Sequence, residues 1–423
     1  MRIRDFRWLW AGLTVSNIGS WMQIFALGLL VVQIAERDGV PGLAPFYLGL
    51  VGLARALPGI PCTLIAGAVA DRVDRRRIIF LSQTTMAVAA GVLALLAYLG
   101  LANLAAVLIA ATVQSAAFAF DNPARQSMVP RLVPMAVYPS AIGLQSASFN
   151  AASVIGPLIA GLLYAPIGIP GLLAANALSF GAIILAILAL PAVPPVHRAS
   201  HGLFRSVIEG GRYLRSNPTL VWVLAIAGTG FVAAGPTSAL LPALAGESVW
   251  NGMSWLSILL TAMGAGSFIA AIGTMSVGRI RGLGRIYVAA AVGNGLALIL
   301  FAITAQPVLA LIFAFFTGLS GTLMAGMGNN MIQTTVDDAY RGRVMSIWGL
   351  LFIGLMPIGQ LALGALGSLL GIREALVIGG AVALGAGIYA WIRLPALRDW
   401  RSRPRKRVAA QVPTVAVGQP TFR

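Results

Sequence analysis

Apolar positions along this chain come in long unbroken runs, broken by short clusters of Arg, Asp, Gly and Pro. No stretch shows the alternation of a half-buried strand. Twelve runs approach or exceed the ~20 residues that a helix needs to cross a hydrocarbon core. They fall at 8–34, 44–70, 78–100, 102–126, 137–165 and 170–192, then at 219–243, 252–277, 285–304, 307–336, 343–370 and 373–395. The pattern predicts an all-α integral membrane protein with an N-terminal six-helix bundle (1–192), a linker (193–218), a C-terminal six-helix bundle (219–395) and a basic tail (396–423).

Composition agrees. Of 423 residues, 58% are hydrophobic and 10% charged, too little polar surface for a water-soluble domain of this size. The net charge of +17 suggests nucleic acid only until its placement is read. Arginines gather in alternate loops: Arg2, Arg4 and Arg7; Arg72 and Arg75 to Arg77; Arg125 and Arg131; then Arg198 to Arg215, Arg279 to Arg285, and Arg341 with Arg343. The intervening loops hold Arg37 and Arg373, each beside an acid. This is the positive-inside distribution. It places both termini in the cytoplasm, the arginines against anionic lipid, and no nucleic acid as partner. Cys62 is the only cysteine, so an internal disulfide is excluded. The first run is too long for a cleaved signal peptide and reads as a retained span.

Within the linker, Leu203, Val207 and Leu214 share one helical face, and Arg205, Glu209 and Arg212 another. This predicts an amphipathic helix on the inner leaflet that tethers the bundles, with a solvated linker as the alternative. A faint internal repeat supports two equivalent halves: Asn122, Gln126 and Val129 recur as Asn329, Gln333 and Val336, each displaced by 207 residues. The tail from Arg398 to Arg407 reads as a basic segment held near anionic lipid.

The densest charge cluster is Gly67-Ala-Val-Ala-Asp71-Arg72-Val-Asp74-Arg75-Arg76-Arg77. It resembles the loop between the second and third helices of the major facilitator superfamily, with Asp74 where a second glycine is usual. The resemblance implies a twelve-helix fold of two bundles related by a pseudo-twofold axis. It also implies a gating latch in which Asp71 faces the helix beginning near Arg343 and Arg75 pairs with Asp121, flanked by Gly67, Arg72 and Arg76. In the fifth span, Gly143, Gly156-Pro157 and Gly161 resemble the antiporter motif of superfamily exporters, with Ala152 and Ala160 at two positions that are usually glycine. The strings Phe120-Asp-Asn-Pro-Ala-Arg-Gln-Ser-Met-Val-Pro130, Ala141-Ile-Gly-Leu-Gln-Ser-Ala-Ser-Phe-Asn150, Gly211-Arg-Tyr-Leu-Arg-Ser-Asn-Pro218 and Arg341-Gly-Arg-Val-Met-Ser346 narrow the likeness to its enterobactin-exporter-like branch. That branch implies a proton-linked exporter of siderophores or drugs in the bacterial inner membrane. The fourth span lacks the Arg-x-x-x-Gly motif of many drug–proton antiporters.

Ionisable residues deep in a membrane are costly and mark function. Arg55 lies about ten residues into the second span, ~15 Å from its end and near the midplane. Asn17, Gln114 and Asn150 sit at similar depth, with Gln23 and Asn294 further along, and together they predict a polar substrate site. No carboxylate occupies the midplane, and Asp121 lies toward the cytoplasmic end. His197 and His201 fall in the linker, and no His or acid cluster predicts a metal. The sole lysine, Lys406, follows an arginine, so no P-loop exists. The reading is a monomeric secondary exporter of a small organic molecule, without cofactor and not an enzyme. An importer or lysolipid flippase of the same fold is the alternative.

Overall fold

The computed structural model describes residues 4–190, 203–244, 254–276 and 282–400. His197, His201, Arg279, Arg281 and the tail beyond Trp400, Lys406 included, lie outside them, as do the side chains of Asp71 and Arg72 and the surroundings of Gly67. The helices are α1 (Arg4–Arg37), α2 (Ala44–Arg72), α3 (Arg75–Tyr98), α4 (Leu104–Leu132), α5 (Tyr138–Ala189), α6 (Leu203–Arg215), α7 (Pro218–Ala233) and α8 (Thr237–Leu244). They continue as α9 (Ser254–Ser276), α10 (Leu283–Ile303), α11 (Pro307–Thr335), α12 (Asp338–Leu350), α13 (Met356–Leu370), α14 (Ile372–Arg393) and α15 (Pro395–Arg398).

Eleven described segments are long and apolar enough to cross a bilayer, and the longest, Met135–Ala189, has 55 residues. It is two spans. Gly168 breaks α5 with φ 62° and ψ −172°, a conformation open essentially to glycine, and Pro166 and Pro170 bracket it. α1 shows that the chain reverses there. Thr14 bonds Ser148 at 2.7 Å and Gly156 approaches Trp21, so the first leg runs parallel to α1. Gly12 abuts Ile183 and Gly19 abuts Asn176, so the second leg runs back. The predicted break between 165 and 170 is therefore a real turn, and the spans among the described residues number twelve.

Two other spans depart from plain helices. The seventh bends between α7 and α8 at Gly235-Pro236. The eleventh joins α12 to α13 through a π-helical turn, Leu351–Leu355. Pro357 has no N–H to offer the carbonyl four residues back, which frees the helix to widen there.

Helices before residue 190 pack mainly on one another, as do those after 218, and two seams join the halves: α2 on α13, and the first leg of α5 on α9. Gln360 Nε2 donates to the Leu48 carbonyl at 2.7 Å, and the Phe46 N–H donates to Ser368 Oγ at 3.0 Å. Gly49 lets the backbone at Leu361 approach; a Cβ there would lie 3.0 Å from its Cα. Among the described residues, every hydrogen bond and close glycine contact between the halves lies between the charge-poor end and the middle. Between described residues, none lies at the arginine-rich end.

The linker helix differs from its expectation. α6 lies against α12 as part of the second half. Leu214 is buried among residues of α7, α10 and α11. Glu209 pairs with Arg343 at 3.0 Å, and the Tyr213 ring stacks on Tyr340 at 4.7 Å. Tyr213 also donates to Asp337 Oδ2 at 3.2 Å, while burial pushes its phenol above the ordinary tyrosine range. Amphipathy required an apolar surface for this helix, and a protein face supplies one.

Candidate functional site

Four cavities open along the inner faces of the two halves. Beside α1 and α4, a cavity of about 220 Å³ is lined by Arg55, Gln23, Gln114, Met86, Phe118 and Phe180. Arg55 and Phe118 also line a second, of about 450 Å³, which reaches Asn122 and Gln126 and is walled by Ile353 and Pro357 from the other half. Asn122 and Gln126 belong in turn to a third, of about 420 Å³, with Asn17, Arg125, Phe149 and Asn150. Phe149 and Asn150 continue into a fourth, of about 280 Å³, bounded by Trp21, Phe231, Asn294 and Phe352. The shared residues make one branched path. All six predicted substrate-site residues line it, in three groups rather than around one point: Arg55 with Gln23 and Gln114, Asn17 with Asn150, and Asn150 with Asn294.

Local structure explains each placement. Gln23 is buried because three helices meet on its carboxamide: its Nε2 donates to Gln114 Oε1 at 2.7 Å, and Asn176 Nδ2 donates to its Oε1. Asn176, fully buried, accepts from Ser179 at 3.3 Å. Asn176 and Ser179 were not singled out from sequence, although a lone Asn within an apolar span is the same signal that found Asn17. Asn294 donates to the Thr317 carbonyl at 3.1 Å and joins α10 to α11. The π-turn places Ile353 and Phe352 on two different cavities.

The latch residues occupy a different arrangement from the one expected. Asp121 is fully buried; Gln83 Nε2 donates to it at 2.9 Å and Arg125 pairs with it at 3.3 Å. Arg125 is one helical turn away and reaches the carboxylate locally, so it, and not Arg75, forms the ion pair. Arg75 is itself buried at the start of α3. Arg343 meets Glu209 of α6. Arg76 donates to the Leu188 carbonyl at 2.5 Å and ties α3 to the end of α5. Asp74 caps α3 with φ −56°, its side chain accepting from the Arg76 N–H at 2.9 Å. A residue that caps a helix is the physical reason the usual glycine is dispensable here.

In the antiporter-like segment, Gly156 is buried against α1, Pro157 is buried beside it, and Gly161 faces Ser257 of α9. Ala152 and Ala160 are buried too, small enough to serve where glycine is usual. Gly143, at the arginine-rich end, has nothing within 4 Å of the position a Cβ would take.

Twelve described spans in two sets, joined by seams and lined with a polar path, have the architecture of the major facilitator fold. Residues 1–419 match the model of the transmembrane secretion effector family, and the chain belongs to that family. It is 25% identical to the enterobactin exporter EntS of Escherichia coli strain K12 over 397 residues, 93% of this chain and 94% of that protein. Among solved structures it resembles a bacterial homologue of the human lysosomal transporter Spinster, in an inward-facing and unoccupied conformation (TM-score 0.72, 15% identity, 95% of this chain and 99% of that one). It also resembles a peptide transporter of the POT family in complex with sulfate (TM-score 0.74, 13% identity, 95% and 96%). The chain is thus a multi-pass membrane transporter of that family.

Proposed function

We propose that the protein exports a small organic molecule by alternating access, with its termini in the cytoplasm and its cavities here open toward that side. One observation carries the reading: the seams between the halves meet from the charge-poor end to the middle, while the arginine-rich end carries no such contact among the described residues. The positive-inside distribution makes the arginine-rich end cytoplasmic, so the substrate path faces the cytoplasm, where an exporter loads. Membership among secretion effectors and likeness to an enterobactin exporter favour export. With no P-loop lysine in the sequence, an ion gradient is the energy source, and protons are the coupling ion we assign. The gating role of the Asp71–Arg77 loop, the lipid contacts of the arginines and a monomeric state belong to the same proposal.

Everted membrane vesicles with an acidified lumen test it. Addition of enterobactin or of amphiphilic drugs is expected to dissipate the pH gradient only where the native protein is present. No dissipation by any compound, with insertion verified, would overturn proton-linked export.

A further inference from the structure

We infer that the transported molecule carries an anionic group, which Arg55 binds at the junction of two cavities, and that its aryl or alkyl body lies against Phe118, Phe180 and Met86. This rests on the transporter reading above and adds the chemical class of the substrate.

The inference starts from donors without acceptors. Arg55 has five N–H donors, and no described residue accepts a hydrogen bond from its guanidinium or forms an ion pair with it. Its backbone carbonyl accepts from Ser115 Oγ at 2.6 Å, which fixes α2 against α4 while leaving the head group to the cavity. A second donor converges independently. The carboxamide chain runs in one direction, Ser179 to Asn176 to Gln23 to Gln114, each acceptor oxygen taken by the residue before it. That order leaves Gln114 Nε2 as the terminal N–H, buried and without an acceptor. Gln114 and Arg55 line the same cavity of about 220 Å³.

Among the described residues, no carboxylate answers them. Asp121, two turns further along α4 from Gln114, is taken by Gln83 and Arg125 and lines neither cavity that Arg55 touches. A desolvated cation without a counter-ion is unfavourable, and a cavity that concentrates donors discriminates in favour of acceptors. The guanidinium fork suits a planar carboxylate, which it can hold through two parallel bonds. Met86, Phe118 and Phe180 supply an apolar wall beside it, so the site fits an organic anion rather than an inorganic one. A cationic dye would meet Arg55 as a like charge.

Binding to the purified full-length protein in detergent tests this without requiring transport. The probes are 2-naphthoate, 2-naphthamide and 2-naphthylmethylammonium, which share a ring system and differ in charge. Native protein should bind the carboxylate on the order of tenfold more tightly than the amide, the increment of one charge-assisted bond pair over neutral ones. Arg55→Gln should bring that ratio close to one, with the larger loss falling on the carboxylate. Arg55→Lys, which keeps the charge and loses the fork, should fall between, and it keeps the test informative should Arg55→Gln not fold. Equal or tighter binding of the amide or the cation by native protein would overturn the inference. So would an anion preference that survives Arg55→Gln, or folded protein that binds none of the three. An importer would show the same preference, so failure of the export reading and failure of this one are separate results.

Discussion

α4 and α11 are both 29 residues long and occupy corresponding places in the two halves, yet they carry opposite chemistry. Their shared origin is visible at one end. Gln126 donates to Asn122 at 3.1 Å, Gln333 donates likewise to Asn329, and Val129 and Val336 are both buried. At the same displacement of 207 residues the remaining positions diverge: Gln114 answers to Gly321, Asp121 to Gly328 and Arg125 to Ile332. The first helix has buried charge and hydrogen-bonding groups where the second has backbone and hydrocarbon. Around α11 the space is filled by rings, with Phe231 against Trp348 at 5.8 Å and against Phe352 at 5.3 Å. A duplicated scaffold has thus divided the work. On the inference drawn above, one half would hold the polar group of the substrate, and the other supplies an apolar wall with a π-turn at its middle.

The sharpest way to break this comparison is to remove the buried charge. Asp121→Leu would leave Arg125 without its carboxylate and Gln83 without its acceptor, at a cost of about 3–5 kcal/mol. The expected result is a large fall in the unfolding temperature of the purified protein, much smaller for Asp121→Asn, which keeps an acceptor for Gln83. An Asp121→Leu protein that melts with the native one would mean that the charge difference between the helices is without energetic consequence. The mirror-image change is smaller. Gly328→Ala would place a Cβ 2.8 Å from Trp348 and 3.0 Å from Tyr287, overpacking worth about 1–3 kcal/mol. Melting curves of the same kind measure it. If Gly328→Ala were neutral, the rings around α11 would be loosely held and the packed-wall description would fail.

These contrasts also mark what the sequence made legible. Hydropathy gave the spans to within a few residues, because a bilayer imposes length and apolarity on each helix separately. The turn at Gly168 falls in the gap left between the spans 137–165 and 170–192, and Arg55, Gln23 and Gln114 stood out by the rarity of polar groups at that depth. What stayed hidden depends on partners. Amphipathy predicted a face on α6 but not which surface would cover it, so the clasp of Glu209 on Arg343 was not foreseen. The pairing of Asp121 with Arg125 turns on a contest between a neighbour one turn away and Arg75 on another helix. The π-turn follows from Pro357, yet proline in a span signals a bend without naming its form. Asn176 carried the right signal and was passed over, since its partners Gln23 and Ser179 meet only after α5 folds back on itself.

The smallest expected effects sharpen the comparison most. Gln126→Leu and Gln333→Leu each remove one i, i+4 side-chain pair on an exposed helix face, worth about 0.2–0.5 kcal/mol. Because the pairs are equivalent, the two variants should lose stability equally. Their surroundings are not equivalent: Asn122 and Gln126 line the cavities that connect Arg55 to Asn150, and no such cavity is lined by Asn329 or Gln333. Transport in vesicles should therefore fall with Gln126→Leu and stay near native with Gln333→Leu, at matched melting temperatures. Equal transport by the two would show that the path does not run past Asn122. A loss confined to Gln333→Leu would move the working half of the molecule to the other side of the seam.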